Sequence, residues 1–455
     1  MKLVREKSFY KTLLAITLPI ALQNLISTGV NMMDTIMLGQ LGDLAISASS
    51  LANQPFFIFT LLTGGLAAGA SVLTAQYWGR GDRESIRRVI AIVMRFAFVI
   101  GLAITIGVLC FPEQVMRIFT NETDVIYEGA RYLRYVAFSY FFYGMTNTFL
   151  QVMRSVERVI MSLVIFGSSF FINVFFNYIF IFGQFGAPEM GVAGAAIGTL
   201  IARGCEFVMA LVYMLAIEKE IKFRPAYLLR FDRTLTADFV RHSMPVVVNE
   251  LLWGMGTSIH AVILGHINKM VVTANSICMV LQQLSMVLIL GIASSAGVMI
   301  GKTIGAGEEH KVRQYAYTIQ VLSIGMGVIM AAVLVLVRDP VLSIYKIEAE
   351  TAQLTNVLML VYAVAAFFQC SIIPPIMGTL RGGGDGKFVM VVDLSTMYLI
   401  AIPLGLAAAF WLKLSPIVVI ACLKSDELVK MGITLWRQKG NKWIKNLTRD
   451  RAMTA

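Results

Sequence analysis

Asp34 stands inside an apolar run that starts near residue 13, and runs starting near residues 160 and 191 carry Asn173 with Asn177, and Thr199. A carboxylate in hydrocarbon costs roughly 2.5–3.5 kcal/mol, so an ionisable side chain at that depth points to ion or substrate handling. Asn173 and Asn177 are four apart and share one helix face. At a rise of about 1.5 Å per residue, all four groups fall in the half of the layer farther from the N-terminus. One carboxylate, two amide oxygens and a hydroxyl suit a hard monovalent cation, with Na+ at Asp34, Asn173 and Asn177, or a proton held on Asp34. The competing readings are an interfacial aspartate at a helix end and asparagines that merely hold helices together.

A second candidate site, for substrate or proton, lies further along the chain. Glu250 sits about ten residues into the run that starts near residue 239, close to the midplane, where it can exchange a proton against a cationic substrate. Trp253, one turn away, offers an aromatic face to a cation. The alternative is a protonated glutamate bonded to a facing helix. Arg203 and Glu206, three apart, read as an internal structural ion pair. Lys424, Asp426, Glu427 and Lys430 are expected to pair among themselves or with loops, and Asp393 similarly.

No set of residues for catalysis stands out. Residues 382–388, GGGDGKF, fail as a phosphate loop: Arg381 occupies the place of the first glycine, and Phe388 has no hydroxyl for magnesium. The segment reads as a flexible turn. The four histidines lack ligand spacing, and the five cysteines fall in apolar runs without paired spacing. The expectation is a chain that is no enzyme, has no cofactor, and draws on an ion gradient of Na+ or H+.

These residues must be positioned by membrane helices. The chain is 57% hydrophobic and 14% charged, with a mean hydropathy of +0.74. Twelve stretches can cross a core of about 30 Å, each needing about 20 residues. They begin near residues 13, 52, 88, 130, 160, 191, 239, 275, 314, 354, 388 and 414. With the N-terminus inside, cytoplasmic segments hold 27 of the 38 basic residues. Outer segments hold Arg117, Arg131, Arg134, Lys269, Arg338, Lys346 and Lys413. Both termini are therefore expected in the cytoplasm, and the net charge of +11 is assigned to topology rather than to nucleic acid. The first span carries polar residues and no small-residue cleavage site, so it is expected to be retained.

A repeat organises the spans. At an offset of 226 residues, Leu18-Pro19 recurs as Met244-Pro245, Gly65 as Gly291, and Gly79-Arg80-Gly81 as Gly305-Ala306-Gly307. After a shift of one, Phe141 falls on Phe368 and Arg154 on Arg381. Six spans per repeat make the halves parallel, related by an axis along the membrane normal. The expected fold is an all-α polytopic membrane protein, with twelve transmembrane helices in two six-helix lobes related by pseudo-two-fold symmetry. Residues 1–218 form the N-terminal lobe, 219–236 a cytoplasmic linker, 237–436 the C-terminal lobe, and 437–455 a basic tail. The symmetry breaks where chemistry is expected: Asp34 meets His260, and Glu250 meets Asn24.

In these residues the chain resembles the multidrug and toxic compound extrusion family. The likeness runs over nearly its whole length: Leu18-Pro19 with Gln23, Asp34-Thr35, Leu38-Gly39-Gln40-Leu41-Gly42, Gly79-Arg80-Gly81-Asp82, Asn173 with Asn177-Tyr178, residues 191–196 (GVAGAA) and Asn249-Glu250-Leu251-Leu252-Trp253. The resemblance implies two six-helix bundles around a central cleft and export of organic cations in exchange for sodium or protons. It implies that Pro19 is the first-helix kink linked to the cation cycle and that Asp34 is the coupling carboxylate. Asn173, Asn177 and Thr199 match N-lobe cation positions, and Glu250 resembles a C-lobe glutamate. The aspartate that accompanies that glutamate in the tenth helix of such members is replaced here by residues 368–372, FQCSI.

The expected protein is an inner-membrane antiporter exporting amphipathic, mostly cationic compounds by rocking of the lobes. It is expected to act as a monomer among membrane lipids. The rivals are a flippase of lipids or lipid-linked sugars, which calls for several basic cavity residues, and a receptor without transport, whose ligand binding ignores sodium and pH.

Overall fold

The computed structural model describes residues 2–343 and 347–449, so Lys346 and the last six residues of the basic tail lie outside the described part. The chain is helical throughout that part. Twelve rods follow one another: α1 (Lys7–Gly39), α2 (Asp43–Arg80), α3 (Arg83–Cys110), α4 (Thr123–Ser155), α5 (Ile160–Phe182), α6 (Val192–Ile217), α7 (Arg233–Gly265), α8 (Lys269–Gly305), α9 (Glu309–Leu342), α10 (Ala349–Leu380), α11 (Gly386–Trp411) and α12 (Pro416–Leu423, resuming as Asp426–Lys439). Ten of the described helices are long and apolar enough to cross a membrane. The two rods outside that set are α4, which is rich in polar and charged residues, and α12, which is broken after Leu423. They complete the lobes by packing: α4 lies against α3 and α6, and α12 against α10 and α11.

Local sequence explains the ends. Asp82 and Asp232 cap α3 and α7 by accepting from the backbone N–H of Ser85 and Leu235. Gly81, at φ +80°, closes α2 in the left-handed region that glycine favours. Asn53 interrupts α2 ahead of Pro55, and Pro374-Pro375 widens α10 into a π segment.

Each repeat forms one lobe, but the first helix of each repeat spans both. The early part of α1 packs on the C-terminal lobe: Val4, Phe9 and Leu13 are buried with Ile300, Ile304 and Ile319. Val4 N–H donates to Thr318 Oγ1 at 3.0 Å, and Thr17 and Ser295 hydroxyls bond at 2.8 Å. Its later part lies on α5. The mirror image holds for α7, whose early part meets the N-terminal lobe through Phe239 on Phe96 (5.5 Å between rings) and Ser243 on Gly69. Its later part is held to α11 by Asn249, which donates to Asp393 at 3.1 Å, and by Tyr398, which donates to the Leu252 carbonyl at 2.8 Å. Pro19 and Pro245 sit near these crossing points. Both helices nevertheless run unbroken through their prolines.

The paired glycines of the repeat lie in the lobe interface. A Cβ on Gly79 would meet the Lys302 carbonyl at 1.9 Å, and one on Gly305 would meet the Gln76 carbonyl at 1.8 Å. Lys302 and Gln76 are themselves equivalent under the 226-residue offset. The ends of α2 and α8 are thus backbone to backbone, and they close the lobes together on the face that carries both termini.

The glycine-rich segment before α11 is a correction to the sequence reading. It is a buried seat rather than a flexible turn. Trp443 is fully buried, and a Cβ on Gly383 would come within 2.5 Å of its ring. Asp385 binds Arg437 at 2.8 Å and Lys445 at 2.6 Å. Beyond Trp443 the chain crosses to the other lobe: Gln76 donates to the Lys445 carbonyl at 3.1 Å and accepts from Leu447 N–H at 2.7 Å. Sequence alone assigns this tail to topology, because its basic residues hide the one aromatic that anchors it.

Candidate functional site

A cavity of about 700 Å³ lies within the N-terminal lobe, in the half of the helices remote from the termini. It is bounded by the later part of α1, the first turns of α2, and α4, α5 and α6. Asp34, half-buried, projects into it from α1, and Asn173 and Thr199 line it from α5 and α6. Asn177 stands behind them, fully buried.

One hydrogen-bonded relay joins these groups. Asn177 Nδ2 donates to Asp34 Oδ1 at 2.6 Å and to Asn173 Oδ1 at 3.3 Å, and Asn173 Nδ2 donates to Thr199 Oγ1 at 3.4 Å. Asn177 Oδ1 is buried without a partner. A carboxamide is nearly symmetric in shape, so a half-turn exchanges its donor and its acceptor. With Nδ2 forward, Asn177 serves an ionised Asp34. With Oδ1 forward, it accepts from a protonated carboxyl or adds an oxygen for a cation. Gly198 makes room for this amide: a Cβ there would stand 2.1 Å from Asn177 Oδ1.

The cavity also contains a balanced ion pair. Arg203 donates to Glu206 at 2.8 and 3.0 Å and lies 4.7 Å over the Tyr143 ring. Asp34 is therefore left without a salt-bridge partner among the described residues, held by an amide alone. The wall groups Tyr132, Tyr143 and Asn53 escape sequence reading. Tyr132 and Tyr143 lie on α4, where polar and apolar residues are mixed around the helix, so no periodic signal separates cavity wall from core.

The structure brings Asp34, Asn173, Asn177 and Thr199 together and does not gather the C-lobe candidates in the same way. Glu250 Oε1 is paired with Arg381 Nη1 at 3.0 Å. Trp253 is 40% exposed on the outside of α7. His260 lies further along α7, with its Nε2 buried and unpartnered. A separate charged knot forms nearby, where Lys430 binds Asp393 at 2.7 Å and Asp426 at 2.8 Å. No group of three or more His, Cys, Asp or Glu suited to a metal occurs among the described residues.

Two lobes of six helices, crossed by their first helices and enclosing a polar cavity that holds a carboxylate, define a polytopic membrane transporter. The profile of the MatE family matches residues 19–179 and again residues 245–407, so the chain belongs to that family and is a transporter rather than an enzyme. The two matches start 226 residues apart, the offset of the repeat. The chain is similar to the probable multidrug resistance protein NorM of Thermotoga maritima, at 23% identity over 97% of this chain and 95% of that one. It is 27% identical to the probable multidrug resistance protein NorM of Mesorhizobium japonicum, over 87% and 86% of the two chains. Among solved structures, its fold matches that of a mutant of the Vibrio cholerae MATE transporter VcmN with a TM-score of 0.87, at 16% identity over 97% of this chain and 98% of that one. An outward-facing multidrug resistance MATE family transporter of the MOP superfamily matches with a TM-score of 0.85, at 16% identity over 99% and 100%.

Proposed function

We propose that the protein is a multidrug antiporter of the plasma membrane that exports amphipathic, mostly cationic compounds against an inward flow of sodium or protons through the Asp34 site. One observation carries the reading: a carboxylate without a salt-bridge partner faces a cavity of about 700 Å³ and is backed by the Asn177, Asn173 and Thr199 relay. Such a group can exchange a small cation or proton for an organic cation. Na+ fits Asp34, Asn173 and Asn177 once the Asn177 amide turns its oxygen forward. Binding drives transport only if it favours one lobe arrangement, and Asp34 lies on a helix that bridges both lobes. With both termini cytoplasmic, the clasp of α2 on α8 shuts the cytoplasmic side, so this arrangement is open outward.

Pro19 marks where α1 passes between the lobes, which suits a bend there during the cation cycle. In the C-terminal lobe, the Glu250–Arg381 pair favours a structural or gating role for Glu250, with Trp253 and His260 outside it. The test is substrate flux in liposomes holding the purified protein, with a sodium gradient and a pH gradient imposed separately. At least one gradient is expected to drive flux, and Asp34→Asn to abolish that response while substrate still binds. Driven flux that persists in Asp34→Asn sinks the assignment.

A further inference from the structure

Arg154 and Arg381 end α4 and α10 at equivalent places in the two repeats, and both line a second cavity, of about 170 Å³, between the lobes. Both are more than nine-tenths buried. Arg154 Nη1 donates to Gln23 Oε1 at 2.9 Å and its Nη2 donates to Gln151, so its partners are neutral amides and its Nε has none. Arg381 gives Nη1 to Glu250, whereas its Nε and Nη2 are unpartnered. Two arginines thus line one small space, and among the described residues the one carboxylate bonded to either of them is Glu250, on Arg381. A buried cation without a counter-charge is strongly unfavourable, and guanidinium forks match oxyanions in a bidentate manner.

We propose that this cavity is an anion site, taking a phosphate-type oxyanion through Arg154 and Arg381, with Ser71, Ser155 and Ser294 lining it. Because one arginine comes from each lobe, the bound anion ties the lobes in the closed arrangement on the termini face and is released when they part. The site does not depend on the role given to Asp34. Its occupant is either free phosphate or the phosphate of a lipid headgroup, a shared chemistry that experiment can divide.

The experiment follows the thermal unfolding midpoint of the purified full-length protein. In one arm, inorganic phosphate replaces chloride at constant ionic strength in detergent; in the other, nanodiscs of phosphatidylglycerol are compared with phosphatidylcholine. The expected result in either arm is a stabilisation of several degrees that Arg154→Gln and Arg381→Gln each remove and Asp34→Asn keeps. A response confined to the nanodiscs assigns the site to the phosphate of an anionic lipid headgroup, because the phosphate of phosphatidylcholine is neutralised by its own choline cation. Glu250→Gln frees Arg381 and is expected to lower the half-saturating phosphate concentration, or the phosphatidylglycerol fraction needed, by about tenfold. That gain is one a purely structural arginine does not produce. If a glutamine variant fails to fold, Arg154→Lys replaces it, keeping the charge but losing the fork, with an expected weakening of about tenfold. Stabilisation that is absent in both arms, or unchanged in the arginine variants, overturns the proposal.

Discussion

At the scale of the residue, the site depends on groups whose importance comes from what surrounds them. Asp34 is legible in the sequence, because a carboxylate inside an apolar run is conspicuous. Asn173 and Asn177 are legible by their spacing. Gly198 is not, since a glycine in a helix has many explanations until its neighbour is seen. With a Cβ falling 2.1 Å from Asn177 Oδ1, Gly198→Ala must push the amide or α6 aside. The expected outcome is normal membrane insertion with cation-driven dye efflux reduced at least tenfold, and Gly204→Ala, which has open space at its Cβ, serves as the control. Equal activity in the two variants, measured in a pump-deficient host, would show that the position of Asn177 does not matter. Arg154 and Arg381 are visible as a repeat match, but their shared cavity is not, because sequence identifies equivalence and not convergence.

At the scale of the element, the repeated prolines and glycines separate into two roles. Pro19 and Pro245 mark helices that bridge the lobes, whereas Gly79 and Gly305 let two helix ends touch backbone to backbone. Hydropathy recovers the helices because each spans a layer of fixed thickness. It cannot recover the bridging, since an apolar run does not say which lobe each part of it packs against. The clasp permits a direct test. In Gly305→Ala the new methyl has no room against the Gln76 carbonyl, 1.8 Å away, and the neighbour is backbone that cannot rotate clear. The ends of α2 and α8 are therefore expected to separate. Hydrogen exchange should quicken for the backbone of residues 76–80 and 302–306 while the cavity segment of α5 keeps its protection. Gly307→Ala is no substitute control, because Gly307 has φ +78° and is strained for another reason. Gly325→Ala, with nothing near its Cβ, is the suitable one.

At the scale of the whole molecule, pseudo-symmetry supplies the machine and its violations supply direction. The lobes share a backbone plan, but the carboxylate that faces the N-terminal cavity, Asp34, is served by amides, whereas in the second lobe Glu250 and Asp393 are in ion pairs with Arg381 and Lys430, and Glu427 accepts from the Gln369 amide at 3.1 Å. A tethered arginine or lysine already neutralises Glu250 and Asp393, whereas Asp34 has no such partner among the described residues and opens on a cavity of about 700 Å³, so a mobile cation has a place beside it. The tail adds a second asymmetry, since residues 443–449 tie Gly383 and Asp385 of one lobe to Gln76 of the other. Trp443→Ala removes a fully buried indole and is expected to cost about 3–5 kcal/mol of C-lobe packing. A purely local role predicts only a lower unfolding midpoint. A tie between lobes predicts in addition that the clasp loosens, because the tail's bonds to Gln76 form only when the lobes meet. Faster hydrogen exchange at residues 76–80 in Trp443→Ala, at a temperature well below its midpoint, is therefore the deciding measurement, and unchanged exchange there restricts the tryptophan to stability.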